Sequence, residues 1–275
     1  VFRRQERNSD RASEYLQVGY EIFDRADVVK SDTDAFCIIK KALGDLPLRI
    51  VTGDIGILMA AVSGLKTTDR RKKALLRHIW RPKRFITTLE NFTNDLSFST
   101  ERFDGFDEET SFGKHAKEIG LRSKSEITKR IKNLLLDGKA APISTKERGV
   151  INSLLNIGDK CPQALIQLKA LLPDMPALKN AIEKFERRLA ALDKANVDLS
   201  VIDFEISYGR TSMEYYDGFV FGFYSENNIN LPPIATGGRY DALTKHIGKG
   251  REIPAVGGVV RPDLILQSKG FEDND

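Results

Sequence analysis

The rhythm of apolar and polar positions changes twice along this chain of 275 residues. From Tyr15 to Phe23 side-chain character alternates with period two. That predicts a strand with one face on a core and the other lining something polar. Ser31 or Asp32 then reads as the cap of a helix whose apolar positions Ala35, Phe36, Ile39 and Leu43 share one side, with Gly44 ending it. Leu48 to Val51 reads as a strand, and Asp54 to Leu65 as an apolar helix stopped at Gly64. From residue 66 to about 195 helical spacing takes over, as in Ile127, Ile131, Leu134 and Leu135, and again in Ala181, Ile182, Phe185 and Leu189. Within it, Asn94 to Lys117 is rich in Phe, Asp and Ser and is expected to be loop. The β rhythm returns at Val197. Strands are expected at Phe204 to Tyr208, Tyr215 to Tyr224 and Ala255 to Val260, and Gly237-Gly238 is expected to make a tight turn into a short helix. A sheet interrupted in sequence by a helical insertion fits this order better than a βαβ repeat. The expected class is α+β, divided into 1–65, 66–195 and 196–275. The opening Val1-Phe2-Arg3-Arg4 is strand-like and uncapped, and reads as part of a longer protein whose earlier strands are missing.

Composition narrows the class without choosing a function. With 41% hydrophobic and 30% charged residues, collagen-like and wholly disordered readings are excluded. No apolar run approaches the ~18 residues of a membrane-spanning helix. The first residues carry no apolar leader, so a cytoplasmic protein is expected. Lys and Arg number 43 against 39 Asp and Glu, a net charge of +4 that permits but does not require polyanion binding. The basic run Arg70-Arg71-Lys72-Lys73, followed by Arg77, Arg81, Lys83 and Arg84, could touch RNA, although a solvated helix face is the commoner explanation. Cys37 and Cys161 are far apart in apolar surroundings and are expected to be free thiols. His78, His115 and His246 share no ligand-like spacing with any cysteine, so no metal or other cofactor is expected.

Three stretches could carry chemistry. Gln17 and Glu21 project from one strand face with Gly19 between them, which suits an ammonium or imidazole N–H but equally a solvated edge. Tyr215-Tyr216-Asp217-Gly218-Phe219-Val220-Phe221 is strongly β-prone with a glycine inside, a mark of close approach or simply an aromatic core strand. Thr236-Gly237-Gly238-Arg239-Tyr240-Asp241 looks like a ligand loop but is neither a dinucleotide fingerprint nor a P-loop. The signatures G-x-S-x-G, H-E-x-x-H and C-x-x-C do not occur.

In order, these pieces resemble the core of the histidyl-tRNA synthetase family and its non-catalytic relatives. Motif 2 of that family, F-R-x-E followed by Q-x-x-x-E, is echoed by Phe2-Arg3-Arg4-Gln5 and by Gln17 to Glu21. L-D-Y-Y-T-G is echoed by Met213-Glu214-Tyr215-Tyr216-Asp217-Gly218, and G-G-R-Y-D stands intact at Gly237 to Asp241. Motif 3 is echoed by Pro254-Ala255-Val256-Gly257-Gly258. The resemblance covers roughly 1–65 and 196–275. It implies a class II aminoacyl-tRNA synthetase-like antiparallel sheet flanked by helices, with a mostly helical insertion. It further implies a histidine pocket at Gln17, Glu21, Tyr215, Tyr216, Gly237, Gly238 and Tyr240, with Arg3 and Arg11 as remnants of phosphate binding.

The departures point away from synthesis. Thr211 stands where the adenylate-forming arginine is expected, with Arg210 one place out of register; Leu264 stands at the ATP-clamping arginine, and Gln5 at the adenine-reading carboxylate. Each electrostatic donor of this kind is worth about 10²–10³ in rate, so these losses together cost several powers of ten. A retained amino-acid pocket without the ATP clamp is similar to the regulatory-subunit family of ATP phosphoribosyltransferase, the first enzyme of histidine biosynthesis. That resemblance implies no catalysis and no cofactor. It implies L-histidine as ligand and a short-form catalytic subunit as partner, with self-association inside a hetero-oligomer; neither a membrane nor tRNA is expected. The alternatives are a divergent histidyl-tRNA synthetase, or a tRNA-binding stress sensor with an inactive synthetase domain.

Overall fold

Asp27, and neither Ser31 nor Asp32, caps the first helix: its carboxylate accepts the backbone N–H of Val29 and of Lys30, both at 3.0 Å. The helix α1 (Val28–Leu43) ends at Gly44, whose φ of 63° suits glycine. This computed structural model describes residues 14–94, 105–106, 121–210, 214–251 and 253–271. Phe2 to Gln5, Arg3, Arg11, Thr211, Met213 and most of the expected loop at 94–117 lie outside them.

Among the described residues the strands are β1 (Val18–Phe23), β2 (Leu48–Asp54), β3 (Gly158–Lys160), β4 (Ile202–Glu205), β5 (Phe219–Ser225), β6 (Ala235–Arg239) and β7 (Ala255–Val260). The remaining helices are α2 (Ile55–Gly64), α3 (Asp69–Arg77), α4 (Pro82–Thr93), α5 (Lys124–Gly138), α6 (Thr145–Leu155), α7 (Cys161–Ala170), α8 (Lys179–Lys194), α9 (Asp241–Ile247) and α10 (Pro262–Ser268). Two compact units result, one from 1–64 with 150–275, the other from 65–149.

The first unit holds a seven-stranded sheet in the order β1-β7-β6-β5-β2-β4-β3. Neighbours run antiparallel except β2 and β4, which pair in parallel, so the sheet is mixed. In β5 the alternation sends Phe219, Phe221 and Phe223 to one face, where Phe36 of α1 meets their rings at 6.2, 5.4 and 5.3 Å. On α8, Phe185 packs against Phe204 of β4 with centroids 4.6 Å apart. The expected insertion at 66–195 therefore differs from the compact second unit, because α7 and α8 belong with the sheet.

Two further expectations are corrected. Gly237 and Gly238 lie inside β6, paired with both β5 and β7, and do not form a turn. The strand expected at Phe204 to Tyr208 stops at Glu205, where the Tyr208 N–H turns back onto the Glu205 carbonyl. Cys37 and Cys161 are free thiols, as expected.

In the second unit Thr68 caps α3, accepting the Arg71 N–H. Arg71 is fully buried; it donates to the carbonyls of Ala141 at 2.8 Å and Asp137 at 3.0 Å and lies over Phe92. Around it Leu75, Ile79, Phe85, Leu89 and Ile143 form the core.

Candidate functional site

One row of the sheet's register explains why a ligand face exists here. Across β1, β7, β6, β5 and β2 it reads Glu21, Gly257, Gly238, Val220, Gly53. The Glu21 carboxylate folds down over Gly257, where any Cβ would fall on it. A Cβ at Gly238 would lie 2.8 Å from the Tyr216 ring. The missing side chains at Gly257 and Gly238 thus make room for the Glu21 carboxylate and for the Tyr216 ring beside Val220.

A cluster of tyrosines stands here. The Tyr240 hydroxyl donates to Glu21 Oε2 at 2.5 Å. Tyr215 meets Tyr240 edge-on at 5.9 Å and Tyr216 at 4.7 Å, and Phe23 meets Tyr240 at 6.5 Å. Tyr216 is buried, whereas Glu21 and Tyr215 are exposed, so the cluster has a dry base and an open rim. Burial, then the acceptor Glu21, pushes the Tyr240 phenol above its ordinary range; burial, then Tyr215, does the same to Tyr216. Both stay protonated donors near neutrality. Glu21 Oε1 has no hydrogen bond among the described residues, which leaves an acceptor on an exposed side chain.

A buried charge network fixes the end of β6, just before Tyr240. Arg239 is almost fully buried; it donates to Asp32 at 2.7 Å, Asp241 at 2.9 Å and the Val28 carbonyl at 3.1 Å. Arg188 of α8 donates to Asp32 and to Asp54, both at 2.9 Å, and stacks on Phe219 at 4.4 Å. The Asp217 carboxylate accepts the backbone N–H of Asp241 at 3.0 Å and Ala242 at 2.5 Å, tying the tyrosine segment to the start of α9. Burial raises Asp217 to about 6 against those two hydrogen bonds.

Of the sequence-predicted residues, Glu21, Tyr215, Tyr216, Gly238 and Tyr240 come together. Gly237 does not join them: its missing side chain points at Phe221 and the α1 side. Gln17 precedes β1 and makes no hydrogen bond among the described residues. Arg3 and Arg11 lie outside the described residues. Leu264 is buried in α10. Arg210 lies buried in a turn rather than on a strand, and desolvation lowers its pKa to about 10. Arg188, Asp32 and Asp54 were missed. Arg188 and Asp32 each sit on their helix's apolar face, Arg188 between Phe185 and Leu192 and Asp32 before Ala35 and Phe36. A charge at a core position is the signal that marks them. Tyr240 also borders an apolar cavity of about 520 Å³ with Phe23, Leu243 and Ile247, but Glu21, Tyr215 and Tyr216 do not line it.

The family model described as Histidyl-tRNA synthetase matches residues 1–265. The chain belongs to the histidyl-tRNA synthetase family. Within that family it is similar to proteins named ATP phosphoribosyltransferase regulatory subunit. The one from Brucella ovis is 28% identical over 285 residues, and the one from Agrobacterium fabrum 27% over 289 residues. Each alignment covers 95% of this chain and 74% of the relative. A solved structure titled ATP phosphoribosyltransferase regulatory subunit/histidyl-tRNA synthetase, from Bacillus halodurans, shares the fold with a TM-score of 0.60 at 18% identity. It is matched over 94% of this chain and 55% of its own. The histidyl-tRNA synthetase fold, a class II sheet flanked by helices, is thereby shown for this family member.

Proposed function

We propose that this chain is a non-catalytic regulatory subunit of ATP phosphoribosyltransferase that binds L-histidine. In this reading it assembles with itself and with a short-form catalytic subunit in the cytoplasm, makes that subunit active, and conveys feedback inhibition by histidine. The observation that carries the reading is the Tyr240–Glu21 hydrogen bond inside the tyrosine cluster; the motif resemblance, which puts Leu264 where a synthetase has an ATP-clamping arginine, supports it. The names of the Brucella and Agrobacterium relatives support it. Among the described residues no helix is long and apolar enough to cross a membrane.

The physical role of the site follows from its donor set. The free Oε1 of Glu21 takes the ligand ammonium by a charge-assisted bond. The tyrosine rings flank the imidazole. Histidine changes the activity of the assembly only to the extent that it binds one assembly state more tightly than another. Isothermal titration of the intact protein with L-histidine tests the sensor half: saturable binding supports it, and no heat at millimolar ligand overturns it. Co-purification with the short catalytic subunit tests the partner half. Histidine-dependent pyrophosphate exchange by this protein alone would instead establish a synthetase.

A further inference from the structure

We propose that the cleft between α3 and α5, in the 65–149 unit, binds a small ligand carrying two or more linked phosphates. This inference is independent of the histidine reading. Part of the basic run singled out in the sequence is both exposed, as a solvated face would be, and turned to one concavity. Arg70, Lys73 and Arg77 recur at helical spacing on α3 and line one cavity of about 720 Å³. Lys129, Arg130 and Asn133 of α5 line the same cavity.

Its charges are unequally engaged. Arg70 pairs with Asp137, whereas Lys73, Arg77, Lys129 and Arg130 make no ion pair or hydrogen bond among the described residues. Two carboxylates stand at the lining against these cations. Glu126 is occupied by the Ser123 hydroxyl and backbone N–H, which hold its carboxyl below the usual range, and Asp69 belongs to the first turn of α3. Four uncommitted cations in one concavity repel one another, and a polyanion relieves that repulsion. They come from two helices that line the cavity together, so a ligand with separated phosphates engages more of them than a single phosphate. The volume falls in the range of small-ligand sites, about 300–1,000 Å³. No aromatic side chain lines the cavity, so a nucleobase would gain no stacking and the affinity rests on the phosphates. A nucleic acid wants a longer basic track, which the chain's net charge of +4 does not favour.

The test is calorimetric titration of the intact protein with tripolyphosphate and with ATP, each at low and high salt. We expect saturable binding of both with similar affinity, weakening as salt rises. Lys129→Glu with Arg130→Glu should weaken tripolyphosphate about tenfold or more, an ion-pair-sized loss. Lys83→Glu with Arg84→Glu, the same charge change on α4 outside the cleft, should leave it unchanged. Circular dichroism and thermal midpoints report whether each variant is folded, and Lys73→Gln with Arg77→Gln serves as a milder second pair. No tripolyphosphate binding, equal losses in the cleft and α4 variants, or binding of RNA alone would each overturn the proposal.

Discussion

In the proposed histidine site Glu21 is the residue on which recognition would turn, because its Oε2 accepts the Tyr240 hydroxyl and its Oε1 has no hydrogen bond among the described residues. Glu21→Gln keeps the shape and removes the charge. A hydrogen bond to a charged group contributes about 1.5–3 kcal/mol, which corresponds to about a tenfold to hundredfold weaker histidine affinity. Titration calorimetry on the two proteins measures it, and equal affinities would remove Glu21 from the site. Asp217 gives a pH signature. Its folded pKa of about 6 lies above the ordinary 3.8, so between those values the folded state holds more protons than the unfolded. Stability contributed at this position is present at low pH and is lost as pH rises through about 6. Asp217→Asn should remove that slope. Urea midpoints of both proteins from pH 4 to 8 check this, and parallel curves would contradict it.

At the scale of elements, α8 shows what hydrophobic spacing reveals and what it hides. The spacing of Ile182, Phe185 and Leu189 gave the helix, but the segment's neighbours in sequence suggested an insertion. Its place against the sheet depends on Arg188 reaching Asp32 and Asp54, residues more than a hundred positions away in sequence. Arg188→Met should cost about 3–5 kcal/mol, because it strips a partner from buried carboxylates. A loss below about 1 kcal/mol in urea unfolding would mean the network does not hold α8. The strands were legible where a short β-branched run stands between breakers, as in β7, whose limits match expectation. They were misread where glycine doubles as a turn former: Gly237 and Gly238 serve close approach within β6 instead. The tyrosine partners were legible through the family motif, whereas the placing of Gly257 beside Glu21 and of Gly238 under Tyr216 depends on register across β1, β7 and β6, which no local pattern announces.

For the whole molecule, the two units suggest a division of labour. The sheet unit carries the tyrosine–glutamate site, and the 65–149 unit carries a cationic cleft with committed and uncommitted charges. The most direct measurement is the ATP phosphoribosyltransferase activity of a purified short-form catalytic subunit, assayed alone, with this protein added, and with both plus L-histidine. The account predicts little activity alone, a rise on addition of this protein, and suppression by histidine that Glu21→Gln blunts. Activity indifferent to this protein, or tRNA charging by this protein itself, would contradict it.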